Sequence, residues 1–376
     1  MANTPPKVLL AELTQKHPHI LYVEGLLLSE LGYDVTVLYW RRSFDPDLIR
    51  TLGERVNLVE AQNIDPWRDL VRLWREHRRL PYDYAIFNTV EANARHLLFA
   101  LLFPHQTRFI LHDQPDVLRQ NMDATQRMLH RLLLRKAATV YVLSPKIYAY
   151  RRAHSPNWLA QKLAYFLPTF YPDFTDDSDE RPLDSDGRIV FAVPGLFDPR
   201  LRNYRSVMAA LEQIAASPLA ERILIDIMGE IFTDIQGVSR EFVLQAMECG
   251  LLGSTIRLQE DRFEPFDIYA ARLNRSHFML PLIDKAVLQH RAYNQYVVSM
   301  NLLISRGFAM PLVCSRDFDL DDDLRPFAVW YEGQDVFQGL QAAVELYDSP
   351  RYTQLRRELR EHTLTLRAES QAALAL

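Results

Sequence analysis

Short apolar runs alternate with amphipathic stretches along most of the chain. In the first half the runs Lys7–Leu13, Tyr33–Trp40, Asn57–Ala61, Tyr82–Thr89, Thr107–Asp113 and Thr139–Ser144 are dense in Val, Ile, Leu, Phe and Tyr. Near-continuous runs of this kind mark strands buried on both faces. Between them, Ile20–Leu31, Asp65–Arg79, Glu91–Phe103 and Met122–Lys136 carry apolar residues at helical spacing. The second half repeats the alternation. Its predicted strands are Arg188–Val193, Arg222–Met228, Thr255–Gln259, His277–Ile283, Pro311–Ser315 and Ala328–Tyr331. Its predicted helices are Arg205–Ala216, Ser239–Cys249, Phe266–Asn274, Tyr293–Arg306 and Val336–Tyr347, with one more from Arg351 towards the end. Strand–helix alternation of this length predicts parallel sheets covered by helices, the α/β class.

The segment Asp173–Gly187 breaks the pattern. It is acidic, poor in apolar residues and interrupted by Pro182 and Gly187, the composition of an exposed connection. The expectation is two Rossmann-like βαβ domains facing across a cleft: residues 1–172, residues 188–350, and a terminal helix over 351–376. A chain of 376 residues is long enough for two such domains. The longest apolar runs, such as Leu97–Phe103, fall far short of a bilayer span of roughly 18–20 residues. No signal peptide is visible, and the two cysteines, Cys249 and Cys314, exclude a disulfide framework or a cysteine-rich zinc site. A cytoplasmic location is expected.

Charge divides the chain. Residues 1–172 hold 22 Lys+Arg against 16 Asp+Glu, whereas residues 173–376 hold 21 against 32. A basic first half suits an acidic partner: a phosphate-bearing substrate or an anionic membrane surface. Trp67–Arg79 and Met128–Lys136 are basic amphipathic stretches. They read either as helices lying on an anionic membrane, at the inner face, or as core-facing helices with solvated arginines. Nucleic acid is not an expected partner, because no RNA-binding sheet motif or finger spacing accompanies the arginines. Glycine fingerprints of dinucleotide enzymes and P-loop NTPases are absent, as are the G-x-S-x-G and H-E-x-x-H motifs. The acidic pairs Asp45/Asp47 and Asp317/Asp319 read as solvated loop carboxylates, and no metal site is expected.

The stretch Val193–Tyr204 ends a predicted strand and opens a helix. It has a tight turn at Gly195, then Arg200 and Arg202. Backbone N–H groups and guanidiniums converging there would suit a phosphate or diphosphate; a plain turn with surface arginines is the alternative. The order of segments resembles the donor domain of GT-B glycosyltransferases, of a divergent family 4-like kind. There a Gly-Arg-Leu…Arg/Lys-Asn loop holds the diphosphate of a nucleotide sugar. Ile223–Glu230 resembles the second donor-domain strand, and Thr255–Arg262 the third with its loop. Met279–Leu282 resembles the Leu-Pro-Ser strand, with Pro281 opening the nucleotide loop. Gly307–Val313 resembles the Gly-x-Pro-Val stretch, and Tyr331–Ala343 the closing strand and helix. In the first half, His112-Asp113 resembles a strand-ending His-Asp pair.

The resemblance implies a glycosyltransferase of the hexosyltransferase type, independent of metal. It would take a nucleotide diphosphate sugar as substrate, with no cofactor, and a glycan or lipid-linked acceptor, in cell-surface polysaccharide synthesis. Gly195, Arg200, Arg202, Glu230, Pro281, Asp284, Lys285, Asn294 and Ser299 are the expected donor-binding residues. Glu91, His17 and Asp113 are the candidate bases, with His112 on the acceptor side. The pattern also departs from that family. Ala292 stands where many retaining members carry a second glutamate, and Leu13–His19 replaces their glycine-rich turn. Two alternatives follow: a binding subunit that has lost catalysis, and a sugar-nucleotide epimerase on the same fold.

Overall fold

The apolar runs form two parallel sheets. The computed structural model describes residues 4–375 apart from 15–16, 42–44, 62–66, 90–93, 113–122, 170, 177, 179, 231–236, 260–263 and 289–297. Two compact units result. One comprises Met1–Pro168 with 295–298 and Leu366–Leu376; the other comprises 169–294 with Ser299–Thr365.

In the first unit the strands are β1 (Lys7–Glu12), β2 (Asp34–Trp40), β3 (Asn57–Ala61), β4 (Tyr84–Thr89), β5 (Gln106–Ile110), β6 (Thr139–Val142) and β7 (Leu163–Tyr165). They pair in parallel in the order β3-β2-β1-β4-β5-β6-β7. Every residue of β4 is buried, as a strand covered on both faces requires. One face carries Leu9, Ala11, Trp40, Phe87, Phe109 and Val140 into a single apolar core. On the other lie Tyr84, Arg108 and Tyr141. The last residues of the chain close that face: Arg108 Nη1 donates to the Leu374 carbonyl at 3.0 Å and Tyr141 Oη to that of Ala373 at 3.0 Å. Leu167 N donates to Ser370 Oγ at 3.0 Å.

The second unit has β8 (Ile189–Val193), β9 (Ile223–Ile227), β10 (Ile256–Leu258), β11 (Phe278–Met279), β12 (Leu312–Ser315) and β13 (Ala328–Tyr331), ordered β10-β9-β8-β11-β12-β13. Helices Tyr204–Ala215, Val238–Glu248 and Val336–Tyr347 cover its main core face, where Phe191, Val207, Leu211, Ile225, Phe242 and Leu340 pack. Of the predicted helix Tyr293–Arg306, residues 293–297 lie outside the described residues. Helix Met300–Gly307 begins after Ser299, whose backbone is extended (φ −77°, ψ 128°).

In both sheets the order of strands reverses beside the first strand of the unit, between β1 and β4 and between β8 and β11. Ligand sites of open α/β sheets lie outside the carboxyl ends of the strands at such reversals. That places attention on the segments after β1, β4 and β5, and on those after β8, β9 and β11.

Candidate functional site

After β8 the chain turns at Gly195, whose φ of 84° is open to glycine at little cost. Phe197 then stacks on Tyr204, the first residue of helix Tyr204–Ala215, with ring centroids 3.7 Å apart. Arg202 closes the turn from within. Its Nη1 donates to the Leu196 carbonyl at 2.9 Å, and its Nη2 to the Pro194 carbonyl and to Asn301 Oδ1, the latter at 3.3 Å. The guanidinium is buried and its Nε has no hydrogen-bond partner among the described residues. Because Asn301 lies in the first turn of helix Met300–Gly307, this contact sets the Gly195 turn beside that helix N-terminus. Ser299, at the N-cap, is buried and makes no side-chain cap bond.

The segment after β11 meets the same turn. The Leu282 carbonyl accepts from Asn203 N at 2.7 Å, and Leu282 itself holds a left-handed φ of 55°. A non-glycine residue held in that region costs of order 1–3 kcal/mol, and such residues cluster at functional sites. Asp284 is buried; its Oδ2 accepts from Asn203 Nδ2 and its Oδ1 from Ala286 N at 2.9 Å. The result is a tight backbone turn, a buried guanidinium and a helix N-terminus with no side-chain cap among the described residues, side by side. These are the parts from which anion sites are built.

In the first unit, Glu12 ends β1 as a buried carboxylate. Thr14 N, Thr14 Oγ1 and Thr89 Oγ1 donate to it at 2.8, 2.7 and 2.8 Å. His17 follows with a φ of 60°, the left-handed conformation that a glycine-rich turn supplies more cheaply. It precedes helix Pro18–Glu30 without capping it. Its ring stacks on that of His112, centroids 4.2 Å apart and planes 8° from parallel, and meets His19 edge-on at 5.9 Å. His112 stands just beyond β5, with Nε2 donating to the Asn88 carbonyl at 2.6 Å. Burial, then the neighbouring His17 and His19, push the His112 imidazole well below its usual range. The ring is therefore neutral, with Nδ1 left as an acceptor.

An Anabaena protein, HepE, solved with UDP, superposes with a TM-score of 0.60 at 13% identity, over 96% of this chain and 98% of its own. Sucrose-phosphate synthase from Thermosynechococcus elongatus does so at 0.60 and 15%, over 98% and 96%. The chain has the GT-B fold. A Listeria monocytogenes protein described as a UDP-N-acetylglucosamine 2-epimerase shares it at a TM-score of 0.54 and 11% identity, over 95% and 91%. No protein-family model and no curated protein matches the chain. At such identities the likeness fixes the fold, and the chemistry has to be argued from this chain's own residues.

Of the donor-side residues expected within this GT-B fold, Gly195, Arg202 and Asp284 are tied into one cluster through Asn203 and Asn301, and Ser299 leads the helix that joins it. Pro281 is buried just before Leu282. Glu230 accepts at its carbonyl from Phe197 N at 3.0 Å, so its backbone holds the turn. Arg200 points away, mostly exposed, and its Nη2 pairs with Asp198 Oδ2 at 2.7 Å. Lys285 is exposed. On the first unit His17 and His112 are in contact. Glu91, Asp113 and Asn294 lie outside the described residues. Of the acidic pairs, Asp45 caps helix Pro46–Arg50 and Asp319 pairs with Arg325. Among the described residues no three His, Cys, Asp or Glu side chains gather as a metal ion would need. The sequence reading missed Asn203 and Leu282 as site residues, whereas Asn301, which it offers with Asn294 and Ser299 as a hydrogen-bonding partner for ribose, accepts from Arg202. Of the two missed, only Asn203 had a signal, as the residue after the basic position of the loop.

Proposed function

We propose that the protein is a glycosyltransferase that moves a sugar from a nucleoside diphosphate donor to the hydroxyl of a glycan or lipid-linked acceptor, in the synthesis of cell-surface polysaccharide. The observation that carries this reading is the contact between Arg202, fastening the Gly195 turn, and the N-terminus of helix Met300–Gly307. In this reading the diphosphate lies against that turn and helix end. Its growing charge as the glycosidic bond breaks is offset by N–H groups and the helix dipole, without a metal. UDP is the first nucleotide to test, since HepE was solved with it. His17 is the leading base candidate. It stands where the chain leaves β1, held by a neutral stacked partner, and Glu91 and Asp113 remain candidates beside it.

Asp284 favours one alternative. A carboxylate already holding Asn203 and the Ala286 amide is poorly placed to contact a sugar, as expected of a subunit that binds nucleotide without transferring. The epimerase reading draws on the fold likeness alone. One experiment separates the three. The full chain is titrated with UDP and uridine by calorimetry, then incubated with UDP-sugars while UDP release and sugar epimers are followed. Transfer predicts UDP binding at least about tenfold tighter than uridine, one charge-assisted contact's worth, together with slow UDP release. Tight binding with neither release nor epimer supports the binding subunit, and an epimer without acceptor supports the epimerase. Equal affinity for UDP and uridine overturns the diphosphate site itself.

A further inference from the structure

We propose that the first unit docks on an anionic bilayer through the solvent faces of helices Ala94–Leu102 and Ala124–Lys136. Most large apolar side chains of the protein are buried, yet three on these helices stand out in solvent: Leu102 at 54%, Met128 at 56% and Leu132 at 42% exposure. Lys136 Nζ donates to the Leu101 carbonyl at 2.8 Å and to the Phe103 carbonyl. That bond brings Leu102 beside the last turn of the helix carrying Leu132, one turn beyond Met128. Trp74 extends the same edge, its Nε1 donating to the Leu102 carbonyl at 3.2 Å with the Arg78 guanidinium 4.4 Å above its ring.

Charge identifies the occupant. Neither helix contains a carboxylate, and Arg95, Arg127, Arg131 and Arg135 are exposed on them. Asp123, which precedes the second helix, accepts from Gln126 N as its N-cap, and Glu76 lies 3.9 Å from Arg72. Cations ringing exposed Leu and Met, with the partly buried Trp74 beside them, match a surface of anionic headgroups over acyl chains. An acidic polymer would use the arginines and leave Leu102, Met128 and Leu132 in water. The surface is narrower than the sequence pattern implied, because Leu133 and Leu134 face the core. Three apolar side chains make a shallow, reversible anchor, so attachment depends on the charges.

Docking requires no nucleotide, so its test is independent of the transferase reading. The full chain is floated with vesicles of phosphatidylcholine alone and of phosphatidylcholine with phosphatidylglycerol, at low and at high salt. Flotation is expected only with the anionic vesicles and should fall at least about tenfold in molar salt, where screening shortens to roughly 3 Å. Arg131→Glu with Arg135→Glu should abolish it, and Met128→Ser with Leu132→Ser should weaken it severalfold. Arg351→Glu, on the other unit, should leave it unchanged, and thermal melts confirm that each variant is folded. Absence of flotation at low salt overturns the proposal, as does flotation unaltered in the two double variants. Binding to an acidic polymer that the Ser variants leave intact, without vesicle binding, would assign the surface to another partner and overturn it too.

Discussion

Gly229, just past β9, packs so closely on Gly195 that a Cβ on it would stand 1.9 Å from the Gly195 carbonyl oxygen and 2.8 Å from Leu196 N. Both obstacles are backbone, so neither can step aside by changing rotamer. Gly229→Ala is therefore expected to push the turn off Gly229, costing about 2–4 kcal/mol of stability and weakening UDP binding in the same variant. A melt within 1–2 °C of wild type, with unchanged UDP affinity, would show that the turn is not held there.

Arg202 holds the turn from the other side. Arg202→Ala should cost about 1.5–3 kcal/mol, because two backbone carbonyls lose a charged donor. Nucleoside diphosphate binding should fall much more than nucleoside binding. Arg202→Lys should restore little, since a single ammonium cannot span the carbonyls of Pro194 and Leu196 as the guanidinium fork does. Calorimetry with UDP and uridine on both variants is the check; full rescue by lysine would reduce Arg202 to a bare charge.

Glu24 lies fully inside the first unit, and neither of its oxygens has a hydrogen-bond partner among the described residues. Burial, reinforced by the charge of Glu12, pushes its carboxyl well above the usual carboxylate range. The folded protein thus keeps this proton at pH values where the unfolded chain, with an ordinary value near 4.3, has released it. Stability from this group falls as pH rises above that value. Glu24→Gln removes the dependence. Its melting temperature relative to wild type should climb between pH 4 and pH 8, and a constant difference would refute the assignment.

His19 acts in the opposite direction. Its Nε2 is buried without a hydrogen-bond partner among the described residues, and burial, then His17, hold its pKa down to about 3. The unfolded chain takes up the proton near pH 6.5 and the folded one does not, so stability is lost as pH falls from there towards 3. His19→Asn should flatten the acid side of the stability profile. Differential scanning calorimetry from pH 7 to pH 4 decides, and an equally steep loss in the variant would point to other groups, His112 first.

Strand positions were readable because strands buried on both faces leave unbroken apolar runs: Ile189–Val193 and Leu312–Ser315, buried throughout, lie within the runs that the pattern marks. The three-residue β7 was not, since Leu163–Tyr165 is too short to show a period. At the site, the Gly195 turn was legible from its glycine and arginines. The exchange between Asn203 and Asp284 was not, because it joins residues 81 positions apart through ordinary polar side chains. Arg181 makes the same point. It lies in the acidic segment that composition marks as exposed, yet it is buried and donates to the carbonyls of Leu273, Ser276 and Phe308. A lone arginine carries no trace in sequence of the carbonyls waiting for it.

The bonds from Arg108, Tyr141 and Leu167 to residues 370–374 make the first unit a domain that closes only after the whole second unit has been made. During translation its sheet emerges early and must wait for the rest of the chain before that face closes. Until then Arg108 and Tyr141 stay open to water, leaving part of the nascent sheet uncovered. Removing residues 370–374 would therefore damage the domain built by the first half of the chain, far away in sequence from the cut.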